Sequence, residues 1–200
     1  MTNNKAFAEI IESSLQGFTA QSWQWDTFAS FGSLVTVESK TRTLFGIVHQ
    51  VQTGSMDPAR YPFAYKKTEE ELLHEQPQIF EFLKTTFSCL IIGYQQKSQM
   101  LYQIAPEPAK IHAFVALASA DSAKQFLYKD RYLHVLFGQG ATIVNIDELL
   151  LALLNYQASL QLLTEEKMSA FAQTFSLLTG NDYRRLKLFL QRVEPLMKQG

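Results

Sequence analysis

Cysteine is nearly absent. Cys89 is the only one in the 200-residue chain, so no disulfide can form within it. It lies in the apolar run FSCLIIGY, where a small buried hydrophobe is expected rather than a reactive thiol. That usage suits a reducing compartment. Net charge is nearly absent as well. Eighteen Lys and Arg stand against 19 Asp and Glu, a formal −1. Such a balance gives no general basic field of the kind that draws nucleic acid. No apolar run approaches the roughly 20 residues that span a bilayer, and Leu149–Leu154 is far too short. The first residues, MTNNKAFAEIIESS, carry no basic stretch followed by an apolar one, so no targeting signal is expected. These absences predict a soluble, cytoplasmic protein with no membrane partner.

The motifs of catalysis are missing too. The four histidines, His49, His74, His112 and His134, form no H-E-x-x-H, and no cysteine pair supports zinc. There is no G-x-S-x-G for a nucleophile elbow. A phosphate loop needs G-x-x-x-x-G-K-[ST], because its amides and lysine hold the phosphates. The nearest stretch, Gly138-Gln139-Gly140-Ala141-Thr142, has neither the lysine nor the spacing. His74 follows Glu70 by four residues, which reads as an exposed helical contact. His49 and His112 stand among apolar residues and read as core or boundary histidines. Glu69–Glu71 suits a solvated first helical turn better than an acid–base pair. The sequence therefore predicts no cofactor, no metal and no enzymatic activity. An enzyme whose site is assembled from scattered residues is the third of three function classes considered.

What is present is a globular composition, 46% hydrophobic and 18% charged. The chain changes character near Pro106-Glu107-Pro108. Phe7, Ile10, Ile11 and Leu15 have helical spacing, predicting a short helix over 4–15 that Gly17 ends. Trp23 and Trp25 alternate with polar residues and read as an edge strand or an apolar clasp. Residues 33–38 and 43–53 read as a strand hairpin, with Gly46 at a bulge or barrel corner. Gly54–Pro58 is a loop. Thr68 with Glu71 predicts a capping box, and Pro77 a helix stop. Residues 78–86 fit helix or strand. Residues 87–95 read as a buried strand paired with Met100–Ile104. Beyond the hinge, helices are expected over 109–118, 121–136, 146–161, 165–178 and 182–198. Asp121, Asn145, Thr164 and Asp182 serve as N-caps, and Gly138, Gly140 and Gly180 as stops. The expected fold class is α+β: a helical segment at 1–22, a small β-barrel with an inserted helix at 23–105, and an α-helical domain at 106–200.

Two segments, FGSLVTVESKTRTLFGIVHQVQT and PFAYKKTEEELLHEQPQIFEFLKTTFSCLIIGYQ, resemble the HAS-barrel family. This is the small N-terminal barrel of HerA-type DNA-translocating ATPases and F-type ATP synthase subunits. The resemblance is carried by Gly46-Ile47-Val48, by the inserted helix Lys67–Leu72 and by Ile92-Gly93-Tyr94. It covers residues 23–105, about half the chain. It implies a barrel that packs against neighbouring subunits in a ring and supports an ATPase domain. The missing phosphate loop departs from the ATPase pattern, so this chain alone is not expected to hydrolyse ATP.

Two surfaces stand out. Tyr61, Phe63 and Tyr65 alternate beside Pro62, and Lys66 and Lys67 meet Glu69 and Glu70. Aromatic anchors rimmed by charge suit protein docking; the alternative is that the rings plug one end of the barrel. Arg184, Arg185, Lys187 and Arg192 give the last helix a basic bias. It suits phosphate contact or simply a solvated face, and the neutral total charge makes any nucleic-acid binding weak. Trp23 and Trp25 could stack on bases or close a small core. The favoured function is a non-catalytic interaction or assembly module. Its partner would be a separately encoded ring ATPase or a second copy of the chain. The alternative is a nucleic-acid-associated accessory protein.

Overall fold

Strands dominate the first part of the described chain. A computed structural model describes residues 5–57, 59, 62–140, 143 and 145–197. Among these, seven strands form: β1 (Ala8–Ser13), β2 (Gly17–Ser22), β3 (Leu34–Glu38), β4 (Arg42–Ser55), β5 (Leu83–Gln96), β6 (Gln99–Leu101) and β7 (Phe114–Leu117). Six of them run in the order β2-β1-β7-β3-β4-β5, and β2 pairs back onto β5 to close a barrel. β6 extends the end of β5. Closure leaves the barrel without open edges, the usual hazard of antiparallel sheets.

Alternate residues divide between two cores. Ile10, Phe18, Val37, Phe87, Ile91 and Val115 fill the barrel interior. Leu34, Phe45, Ile47, Leu90 and Ile92 point the other way and join the core of the helices. β3, β4 and β5 are thus buried on both faces at their centres, which is why they read as continuous apolar runs.

The helices follow the barrel: α2 (Ala120–Leu127), α3 (Tyr132–Gly138), α4 (Ile146–Ser159), α5 (Glu165–Leu178) and α6 (Tyr183–Met197). A further helix, α1 (Glu69–Glu75), lies between β4 and β5. Asn145 and Thr164 cap α4 and α5, and Asp182 accepts from the amide of Arg185 at the start of α6. Phe175 stacks on Phe189 with ring centroids 4.8 Å apart.

Glycine lets the helical layer approach the barrel. At Gly93 an added Cβ would lie 2.6 Å from the Leu101 carbonyl oxygen and 3.0 Å from Cζ of Phe126. Phe126, on α2, instead packs flat on Phe45 with centroids 4.2 Å apart. Gly32, at φ +82°, leaves room for the backbone of α4 at Ala152, 2.8 Å from where its Cβ would sit. The register slips beside Gly46, as the sequence suggests: Phe45 pairs with Gly93 and Gly46 with Ile91, so Ile92 is the extra residue. Next to this bulge, the buried Gln139 donates from Nε2 to the Ile91 carbonyl at 3.1 Å, tying the end of α3 to the barrel.

Four expectations are corrected. Residues 8–22 form a strand hairpin, not the helix expected over 4–15. A bulge at Ile11 places two isoleucines side by side and breaks the alternation, which imitates helical spacing. The helix expected over 109–118 is absent, and β7 occupies 114–117 between β1 and β3. The barrel therefore spans residues 8 to 117 and runs past Pro106-Glu107-Pro108. The helix expected over 121–136 is two, because the chain breaks at Tyr128–Arg131. There Lys167 donates from Nζ to the carbonyls of Leu127 at 2.7 Å and Tyr128 at 3.0 Å and to Asp130 Oδ1 at 2.5 Å. Its three ammonium protons are all taken, and the end of α2 is capped by a side chain from another helix. Ser119, rather than Asp121, is the N-cap of α2.

Candidate docking site

β4 and β5 are 14 residues each and stay paired up to Ser55 and Leu83. The chain between them, 56–82, is an excursion from the end of this long ladder. Its local structure follows from its sequence. Thr68 Oγ1 accepts from the Glu71 amide at 3.3 Å, and Glu71 Oε2 accepts from the Thr68 amide at 2.7 Å. This is the expected capping box, and Glu69–Glu71 sit favourably at the positive end of α1. Lys67 pairs with Glu75 across the helix. The helix ends before Pro77, which opens a 3-10 turn over Pro77–Phe82.

None of the described residues from 56 to 82 is buried. Yet several are large and apolar: Phe63 is 69% exposed, Leu73 50% and Met56 45%. Phe63 and Tyr65 lie ring to ring at 4.6 Å, and neither belongs to the barrel's interior cluster. Lys66, Lys67, Glu69 and Glu70 follow them in the chain, all exposed. Tyr61 lies outside the described residues. Phe80 stacks on Trp25 at 5.6 Å, which holds the excursion against the chain ahead of β3. Thr85 Oγ1 in turn donates to the Trp25 carbonyl, fixing that segment to β5. The sequence marks the loop and helix at about 54–76, which hold Met56 and Leu73, as an exposed docking surface; it does not foresee the contact of Trp25 with Phe80.

Of the basic residues of α6, Arg184, Arg185 and Arg192 line one cleft together with Asp147 and Asp182, and two of them are paired with α4. Arg185 makes two bonds to Asp147, Nη2 to Oδ1 at 2.6 Å and Nε to Oδ2 at 3.2 Å, and its guanidinium lies over Phe175. Arg192 pairs with Glu148 at 2.7 Å. Both arginines thereby join α6 to the first turn of α4. Arg184 and Lys187 are exposed. Trp23 meets Phe114 edge-on at 5.3 Å.

The remaining reactive groups are placed as follows. Burial pushes the Cys89 thiol well above its ordinary range. His49 sits at a second bulge, between the Val48–Cys89 and Gln50–Ser88 pairs, and burial lowers its pKa. His112 contacts Glu9 at 2.5 Å. His74 is exposed on α1. A cleft of about 530 Å³ lies at the α2–α3 break, lined by Asp130, Arg131, His134 and Lys167. Comparison with models of known protein families and with curated proteins finds no match.

Proposed function

We propose that this chain is a non-catalytic protein-interaction or assembly module. The barrel and its helical layer form the support, and the excursion at 56–82 is the surface that docks on a partner protein. The observation that carries this reading is a 27-residue excursion with exposed Phe63, Leu73 and Met56 and no buried side chain among its described residues. A segment with no fully buried side chain among its described residues adds little to folding, and it leaves apolar area free to be covered in a complex. Lys66, Lys67, Glu69 and Glu70 provide a mixed-charge rim that sets register. The resemblance to the HAS barrel supports a ring ATPase as the partner, with this chain supplying a barrel and no motor. Nucleic-acid binding has less support, because Arg185 and Arg192 are engaged within the protein.

A photo-crosslinking residue placed at Phe63 or Leu73 tests the reading in the native cell, with Tyr128, 74% exposed on the helical side, as control position. We expect one protein partner to crosslink from the first two positions and not from the third. Loss of that product in a Leu73→Glu background, read from Phe63, supports docking through this face. Equal crosslinking from all three positions contradicts it. Mass spectrometry of the product separates a foreign ATPase from a second copy of the chain.

A further inference from the structure

Arg42 stands at the first position of β4, beneath a cleft of about 420 Å³ between the β3–β4 turn and the chain at 107–113. Its side chain is 11% exposed, yet its charge is poorly matched. Nη2 meets a single oxygen of Glu107 at 3.3 Å, and that carboxylate is 75% exposed. Nε reaches Thr41 Oγ1 only at 3.5 Å. Nη1 is buried with no acceptor. The Tyr94 ring below, 5.9 Å from the guanidinium carbon, supplies a π face but no oxygen for Nη1. A guanidinium prefers two parallel bonds to one planar oxyanion, and an orphaned buried donor is costly.

We propose that this cleft is a binding site for a small carboxylate with a short apolar body. The carboxylate displaces Glu107 and, after a small rotation of the Arg42 side chain, accepts from both ends of the fork. Lys40 and Lys110, both exposed and both lining the cleft, add positive charge at the rim. Glu38 also lines it and, with Glu107, limits the site to a singly charged ligand. Pro108, exposed, and Ala113, half-buried, offer the apolar surface that a phosphate would not use. The volume suits a small molecule rather than a peptide.

The test is a titration of the ¹⁵N-labelled full chain at constant ionic strength. Butyrate, inorganic phosphate and chloride are added in separate series, reading the Arg42 Nε–H and the amides of Lys40 and Lys110. Butyrate is expected to give saturating shifts at lower concentration than either inorganic anion. Glu107→Gln removes the competing carboxylate and tightens butyrate about threefold or more, whereas Lys110→Ala, an exposed change, weakens it by a similar factor. Butyrate should also raise the melting temperature of Glu107→Gln, which keeps the test usable where that variant is less stable. Non-saturating shifts, equal shifts in all three salts, or no tightening in Glu107→Gln overturn the site. Saturation by phosphate without butyrate overturns the carboxylate assignment.

Discussion

Gly54 and Gly93 occupy the two strands that flank the excursion, and their surroundings differ sharply. Nothing lies within 4 Å of a Cβ added at Gly54, whereas one at Gly93 meets the Leu101 carbonyl and Phe126. Gly93→Ala should therefore cost about 1–3 kcal/mol by pressing on the β6 backbone at Leu101 and on the Phe126 ring of α2. Gly54→Ala should stay within about 0.5 kcal/mol. Urea melts of the two variants check the contrast, and equal stabilities contradict it. At His49, burial holds the folded-state pKa below the ordinary histidine value of 6.5. As pH falls, the unfolded chain takes the proton before the folded one does. The stability this residue supports is thus whole above pH 6.5 and is lost as pH falls through the lowered folded value. A His49→Gln variant should show a shallower fall in stability on acidification than the parent chain. Parallel pH profiles contradict this reading.

Elements were legible where a local rule sets them. The capping box at Thr68, the caps at Asn145 and Thr164, the hairpin of β3 and β4 and the slip at Gly46 all follow from a few neighbouring residues. Elements were misread where a distant partner decides. A bulge at Ile11 hides the alternation of β1, and the four residues of β7 are too few to distinguish strand from helix. Their strand state comes from pairing with each other and with β2 and β3. The break between α2 and α3 is likewise set by Lys167, about 40 residues downstream. Phe63, Tyr65, Lys66, Lys67, Glu69 and Glu70 stand out in the sequence by composition alone. Whether those rings plug the barrel or stay outside depends on where the excursion leaves the ladder, which no local pattern encodes.

At the scale of the whole molecule, barrel and helices are interlocked. β7 closes the barrel from beyond the Pro106-Glu107-Pro108 hinge, and the outward residues of β3, β4 and β5 belong to the helical core. A fragment ending at residue 105 lacks β7 and exposes Leu34, Phe45 and Ile47. It should fail to give the cooperative melt of a folded barrel, whereas the whole chain should unfold in one transition seen alike by near- and far-ultraviolet circular dichroism. A stable folded fragment of residues 1–105 would show the two halves to be independent.

The excursion at 56–82 adds no buried side chain, among its described residues, to this interlocked body. Ser55 and Leu83 already face one another across the ladder, so residues 56–82 can be replaced by Asn-Gly to close a two-residue hairpin. The deletion removes the Trp25–Phe80 contact but nothing buried among the described residues. We predict that the deleted chain keeps its circular dichroism spectrum and a cooperative melt, with stability changed by about 1 kcal/mol, because shortening a loop alters closure entropy little. The same chain should no longer form the partner complex that crosslinks from Phe63 in the parent. A folded deletion chain that still binds that partner with undiminished affinity would contradict the account.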